Sequence, residues 1–138
     1  MSRSGYSDDI DNLALGRWRN AVNRAIDGKR GQAFLKELAR EMDAMKEKIL
    51  IADELIDEEG ACCAIGVVCK ARGIDVTVID YDEPEQVGEA VGIARAMAAE
   101  IEYENDECGP WGGGETPSQR WQRIRKWVGE QIKTPEAK

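Results

Sequence analysis

Apolar residues recur at intervals of three and four along most of this chain, which is the spacing of one face of an α-helix. The pattern predicts a first helix that begins after Asp8 or Asp9 and runs to about Ile26. A second helix is predicted over residues 30–45. Between them, Gly28 suits the left-handed position that ends a helix. We therefore expect the amino-terminal third of the chain to consist of two helices.

The middle of the chain contains segments that periodicity does not assign. Residues 49–56 fit either a short strand or an extension of the second helix. Residues 61–71 are apolar except for Lys70, and they are followed by Arg72 and Gly73, which favours a helix that ends at a glycine cap. Residues 75–79 fit a short extended piece. A minor β-hairpin around 49–56 or 75–79 therefore stays open.

Two further helices are predicted over residues 85–91 and 93–104, separated near Gly92. Pro84 suits the first turn of the earlier helix. In the later one, Ile93, Met97 and Ile101 share a face. Three glutamates are predicted to lie largely outside that face: Glu100, Glu102 and Glu104.

The carboxyl-terminal segment predicts one more helix, with Thr116 as its N-cap and Pro117 in its first position. The fold class predicted for the whole chain is mainly α, a compact bundle of five or six helices. Its 138 residues fit one domain, in which we expect residues 1–8 and 134–138 to be flexible.

Composition agrees with a folded domain that exposes many charges. Hydrophobic residues make up 42% of the chain and charged residues 33%. The apolar runs are too short to cross a bilayer, and the amino terminus lacks the apolar stretch of a signal peptide. We therefore expect a cytoplasmic protein without a membrane partner.

The charge is distributed unevenly along the chain. Residues 1–40 carry a net charge of +3, residues 41–116 of −15 and residues 117–138 of +4, for a total of −8. An acidic surface repels nucleic acids and attracts basic proteins. The charge pattern therefore favours a protein partner with a basic surface over nucleic acid. The simpler alternative is that the acidic surface only keeps the protein soluble.

The chain contains no histidine, which excludes triads built on histidine and the usual zinc and iron ligand sets. The cysteines at 62, 63, 69 and 108 lack the paired spacing of a zinc site, so we interpret the first three as small buried apolar residues. We expect no metal, no cofactor and no catalytic residues. A non-enzyme is favoured over an enzyme, and the question stays open at this point.

The acidic middle supplies most of the candidate binding residues. Its carboxylates do not follow the ligand spacing of a calcium-binding loop, and solvated helix caps explain many of them. An aromatic residue in the glycine-rich loop 105–115 is a candidate contact anchor, unless it folds back over the core. The candidates are Asp80, Asp82, Glu83, Glu85, Asp106, Glu107 and Trp111.

The basic amino-terminal region is a candidate anion site. A glycine-flanked turn at residues 28–32 precedes a helix, and backbone N–H groups at a helix start can hold a phosphate. The turn lacks the spacing of a phosphate-binding loop. An exposed basic turn is the simpler interpretation. The candidate residues are Arg17, Arg19, Lys29 and Arg30.

Gly60-Ala61-Cys62-Cys63-Ala64-Ile65-Gly66-Val67-Val68-Cys69 resembles a segment of the form G-x-C-C-L-G-V-L-C in a group of uncharacterised phage and prophage proteins. Residues 87–93 resemble that group's L-x-x-x-x-G-I stretch, and residues 105–107 its N-D-E element. Segments 3–9, 17–19, 28–32 and 115–121 look like one branch of the group. The resemblance implies a phage-derived protein and no particular activity.

Three hypotheses about function follow. The first is an acidic interaction protein of phage origin that binds and modulates or inhibits a host factor in the host cytoplasm, such as a defence or nucleic-acid-binding protein. The second is a small nucleotide-binding or nucleic-acid-binding module that uses the basic turn. The third is a histidine-free enzyme that uses carboxylates such as Asp106 and Glu107.

Overall fold

Helices make up most of the chain in a computed structural model that describes residues 12–107 and 114–133. This confirms the predicted mainly helical class, with six α-helices and one short 3₁₀-helix in the described ranges. No helix there is both long and apolar enough to span a bilayer. The α-helices are α1 (Asn12–Asp27), α2 (Lys29–Ala44), α3 (Ala64–Arg72), α4 (Pro84–Val91), α5 (Arg95–Glu107) and α6 (Pro117–Gln131), and Val76–Val78 is the 3₁₀-helix.

The hydrophobic core joins these helices through the apolar faces that the sequence pattern predicts. Helix α5 packs against α1, α3, α4 and α6, while α2 packs against α1, α3 and α6. Burial of large aliphatic side chains on these faces supplies the main driving force for folding. Fully buried members include Val22, Leu35, Leu38, Met42, Ile65, Met97, Ile101, Ile124 and Val128.

Several predicted helix ends are confirmed. The Thr116 side chain accepts a hydrogen bond from the backbone N–H of Gln119, whose own side chain bonds back to Thr116, and Pro117 opens α6. Gly73 ends α3 and Gly92 ends α4 with φ angles of 72° and 80°. Such left-handed caps satisfy carbonyl groups that the helix leaves open.

The prediction that Gly28 takes a left-handed conformation is wrong. Its φ is −72°, and it is the single residue between α1 and α2, where it serves as the N-cap of α2. The junction between α1 and α2 requires a glycine at position 31, because a Cβ atom on Gly31 would lie 2.0 Å from the carbonyl oxygen of Ala25. The close approach of α1 and α2, rather than an unusual backbone angle, therefore explains the glycines here.

The minor β-hairpin does not form in the described part of the chain. Residues 49–56 belong to an irregular linker between α2 and α3, which makes one isolated antiparallel bridge between Ile56 and Cys62. The Asp57 carboxylate accepts the N–H groups of Glu59 and Ala61 and closes the turn. Residues 76–78 form the 3₁₀-helix instead of an extended piece.

The prediction that Glu100 lies largely outside the core is wrong, since only 4% of the residue is exposed. Helix α1 packs against α5, the helix that carries Glu100. The guanidinium of Arg19, from α1, lies 3.9 Å from the Glu100 carboxylate. Helix α5 also continues to Glu107 instead of ending near residue 104. The predicted capping role of Asp8 or Asp9 and the predicted flexible ends lie outside the described residues.

Candidate functional site

Three distant segments meet at the carboxylate of Asp106, near the end of α5. Its Oδ1 atom accepts hydrogen bonds from the backbone N–H of Asp53 at 3.1 Å and from the side-chain amide of Asn105 at 2.8 Å. Its Oδ2 atom accepts the hydroxyl of Tyr81 at 2.5 Å. The linker, the turn before α4 and the end of α5 are therefore held together by one carboxylate.

Asn105 fixes the linker behind this carboxylate. Only 1% of the residue is exposed. Its amide nitrogen donates to the carbonyl of Ile51 at 2.8 Å, and its oxygen accepts from the N–H of Ala64 at 3.0 Å. An amide supplies both a donor and an acceptor, which a carboxylate or an aliphatic side chain at this position does not. Asn105 thus couples the linker to the start of α3.

The turn at residues 80–83 presents three exposed carboxylates. The Asp80 carboxylate accepts a hydrogen bond from the N–H of Asp82 at 2.9 Å. The backbone carbonyl of Asp80 accepts one from the N–H of Glu83 at 3.0 Å. The side chain of Gln86, from α4, accepts the N–H of Asp80. The backbone of this turn is therefore fixed, while Asp80, Asp82 and Glu83 point their charge toward solvent.

Glu102 lies one helical turn before Asp106 on α5 and is partly buried. One of its carboxyl oxygens, Oε1, is buried and has no hydrogen-bond partner among the described residues. Burial first, and then the negative charges of Asp106 and Asp82, raise the pKa of Glu102 to about 8. This side chain therefore holds its proton at neutral pH.

We call this cluster the acidic edge. It comprises six acidic residues of the linker, the turn before α4 and helix α5, three segments that are joined through the Asp106 carboxylate. Asp53, its linker member, is exposed and has a φ of 69°, an uncommon angle for a residue other than glycine. That conformation is held by its N–H bond to Asp106. The members are Asp53, Asp80, Asp82, Glu83, Glu102 and Asp106.

Two arginines of α6 lie behind the edge. Arg120 donates to the carbonyl of Asn105 at 3.0 Å, and Arg123 donates to the carbonyl of Glu104 at 2.5 Å. Both also contact the carboxylate of Glu115. The hydrogen bond from Arg123 lowers the pKa of Glu115, which stays ionised and offsets part of this positive charge. The guanidinium groups thus provide hydrogen-bond donors for backbone carbonyl groups at the end of α5.

Four of the predicted acidic candidates lie in segments that the hydrogen bond from Tyr81 to Asp106 joins: Asp80, Asp82, Glu83 and Asp106. Glu85 is exposed in the first turn of α4, and Glu107 is exposed at the end of α5. Trp111 lies outside the described residues. Sequence reasoning missed four residues of the site. They are Asp53, Tyr81, Glu102 and Asn105, of which only Glu102 carried a readable signal, its spacing of four from Asp106.

The basic candidates are distributed over α1 and the start of α2. All four are exposed, and the guanidinium of Arg19 also lies 3.9 Å from the buried carboxylate of Glu100. The turn between the helices is also tied to α6, because the side chain of Gln32 donates to carbonyl oxygens of both α1 and α6. This turn therefore has a structural role that is independent of any anion.

The cysteine-rich segment also has structural roles. Cys63 is the N-cap of α3, and its sulfur accepts the N–H of Gly66 at 3.4 Å. Burial raises the pKa values of the Cys62 and Cys63 thiols, and it raises that of Cys69 to about 11. All three are buried, as predicted. The described residues contain no group of three or more ligands suited to a metal ion.

A cavity of about 500 Å³ lies between the end of α2 and α3. Its apolar lining includes Met45, Ile49, Cys62 and Val67, and glutamates and lysines also line it. No residue of the acidic edge lines this cavity. The acidic edge therefore lies outside this cavity.

No family model, curated protein or solved structure matches the chain. The resemblance to phage and prophage proteins consequently stays a prediction. The function has to be argued from the geometry of the site itself.

Proposed function

We propose that the chain is an interaction protein that binds a basic surface of another protein through the acidic edge. The observation that carries the proposal is the convergence of three segments on Asp106. It joins acidic segments that are far apart in sequence into one cluster. Such a cluster attracts lysine and arginine side chains and accelerates their approach.

The fixed backbone of the edge favours binding. Asp80 bonds to the N–H of Asp82, and Asp106 bonds to the N–H of Asp53, so both exposed segments are already ordered before a partner arrives. A preorganised surface loses less conformational entropy on association than a flexible one. Order of this kind supports a recognition surface more than a merely solvated loop.

The net charge of the chain favours a protein partner over nucleic acid. A total of −8 opposes the approach of a phosphate backbone, whose binding depends on neutralisation by lysine and arginine. The net charge of −8 already includes the four basic candidates. The nucleic-acid-binding alternative therefore stays a weaker prediction.

The enzyme alternative has one argument in its favour, a carboxyl group that keeps its proton beside other carboxylates. The raised pKa of Glu102 is a property often found in catalytic acids. Catalysis also requires a concave site that surrounds the substrate. The cavity between α2 and α3 does not include Glu102 or Asp106. The exposed carboxylates of Asp80, Asp82 and Glu83 fit a binding surface, so we propose binding ahead of catalysis.

From the phage origin that the resemblance implies, taken with the edge, we propose a class of partner. A phage-derived acidic protein acts in the host cytoplasm, where its cationic partners include defence proteins and nucleic-acid-binding proteins. Carboxylates placed on the basic surface of such a host factor would compete with phosphate groups for it and inhibit the factor.

The experiment that tests this function is quantitative affinity capture from infected host cells, followed by mass spectrometry. The test variant carries Asp80→Asn, Asp82→Asn and Glu83→Gln, and it is compared with a control that removes the same charge elsewhere, Glu47→Gln, Glu58→Gln and Glu130→Gln. All six positions are exposed. We expect a basic host protein that the wild type and the control capture and that the edge variant loses. Equal capture by all three proteins would contradict the proposal.

A further inference from the structure

The cavity between the end of α2 and α3 has the size of a small-molecule site. Its volume of about 500 Å³ lies within the range of roughly 300–1,000 Å³ that is typical of such sites. Several of its lining residues are exposed, among them Ala44 and Ala71, so the cavity opens to solvent. No residue of the acidic edge lines it. A ligand bound here would therefore be independent of the proposed function.

The inner wall of the cavity is apolar and uncharged. Cys62 and Val67 are only 4% and 6% exposed, and Met45 and Ile49, which line the same cavity, are partly buried. Burial raises the pKa of the Cys62 thiol above its ordinary value of 9.0, so the group is neutral at physiological pH. Such a wall favours an alkyl chain, because the chain loses contact with water when it enters.

Charged side chains form the rim of the cavity. They are Glu41, Lys46, Glu47, Glu59 and Lys70. The ammonium group of Lys70 also donates to the backbone carbonyl of Gly60 at 3.0 Å. Three carboxylates against two ammonium groups give the rim a net charge of −1, and the whole chain carries −8. Because opposite charges attract, this rim favours a cationic headgroup over an anionic one.

Hydrogen bonds fix the walls of the cavity before any ligand binds. The ammonium group of Lys48 donates to the carbonyls of Asp43 and Met45, both at 2.6 Å, and so holds the end of α2. The N–H of Ile51 donates to the carbonyl of Cys62 at 2.9 Å, which ties the linker to the residues that precede α3. A preformed cavity loses little conformational entropy when a ligand enters, which favours binding.

We propose that this cavity binds an amphipathic organic cation, a primary ammonium group on a short alkyl chain. The chain lies against the apolar inner wall, and the ammonium group lies at the rim, where it interacts with the carboxylates of Glu41, Glu47 and Glu59. An apolar cavity with a few polar groups that orient the ligand is the usual arrangement of a small-molecule site. The same chain on a carboxylate headgroup would meet a rim of like net charge.

The test is a titration of the full chain with butylammonium, hexylammonium and hexanoate at pH 7, followed by the amide resonances in NMR spectra. We expect hexylammonium to shift the resonances of Ile49, Cys62 and Val67 and to leave those of Asp80 and Asp82 unchanged. It should bind about 15-fold more tightly than butylammonium, because two more methylene groups leave water. Hexanoate should bind about tenfold more weakly than hexylammonium.

Charge variants test the role of the rim. Glu41→Gln, Glu47→Gln and Glu59→Gln together should abolish the preference for hexylammonium over hexanoate. The matched control carries Glu54→Gln, Glu85→Gln and Glu130→Gln, which remove the same charge at exposed positions outside the cavity, and it should keep the preference. Thermal unfolding of both variants verifies the fold.

The opposite outcomes overturn the inference and leave the proposed function standing. If the resonances of Asp80 and Asp82 shift while those of the cavity do not, the cation binds the acidic edge and the cavity is not its site. Equal affinities for butylammonium and hexylammonium would mean that the inner wall does not take up the chain. A preference for hexanoate, or a preference for hexylammonium that persists in the rim variant, would contradict the cationic headgroup. The absence of binding by all three compounds would likewise refute the site.

Discussion

The hydroxyl of Tyr81 donates a hydrogen bond to Asp106 across 2.5 Å and joins the turn before α4 to the end of α5. The two residues are 25 positions apart in the chain. Burial raises the pKa of the Tyr81 hydroxyl, with further contributions from nearby negative charges, so the group remains a donor at any physiological pH. This bond orders the part of the acidic edge that carries the three exposed carboxylates.

Removal of that bond should destabilise the fold. We expect Tyr81→Phe to lower the free energy of unfolding by about 1–2 kcal/mol, because a hydrogen bond to a charged acceptor is lost while the ring is kept. Urea denaturation provides the measurement. A double-mutant cycle with Asp106→Asn isolates the pair, and a coupling energy of zero would show that the bond does not contribute.

The helices were predictable from the sequence because their signals are local. The apolar spacing that includes Leu35, Leu38 and Met42 requires only the geometry of one helix, and the caps at Gly73 and Thr116 depend on a few neighbouring residues. Each of these features is fixed within a short segment. They were therefore found without knowledge of the tertiary structure.

The candidate site was only partly predictable, since it depends on contacts between distant residues. Asp53 and Asp106 are 53 positions apart, and no spacing pattern signals their contact. The burial of Glu100 likewise depends on α1 crossing α5, which helical periodicity alone does not reveal. The charge profile indicated an acidic middle but not which of its carboxylates share a surface.

Titration of Glu102 should make stability depend on pH. Its pKa rises from the ordinary 4.5 to about 8 in the folded protein. Between those values the folded state binds one more proton than the unfolded state, so this group lowers stability as pH rises toward 8. Glu102→Gln removes the titration. We expect that variant to exceed the wild type in unfolding free energy by about 2 kcal/mol at pH 8.5, allowing for partial solvent screening, and by much less at pH 5.

The control for this prediction is Glu107→Gln, which removes a carboxylate from an exposed position on the same helix. Its stability difference from the wild type should change little between pH 5 and 8.5. Chemical denaturation at a series of pH values measures both variants. A constant difference between Glu102→Gln and the wild type over this range would refute the raised pKa.

Gly66 should tolerate no side chain, because α3 presses against the backbone of the linker. A Cβ atom there would lie 1.9 Å from the carbonyl oxygen of Leu55, which accepts the N–H of Cys63. We expect Gly66→Ala to cost about 3 kcal/mol, near the upper end for overpacking, since the obstacle is backbone. Gly16→Ala is the matched control. Nothing lies within 4 Å of a Cβ atom at that helical position, so this change should stabilise the protein by about 0.5–1 kcal/mol. Urea denaturation compares the two variants, and equal stabilities would mean that α3 and the linker do not pack as closely as described.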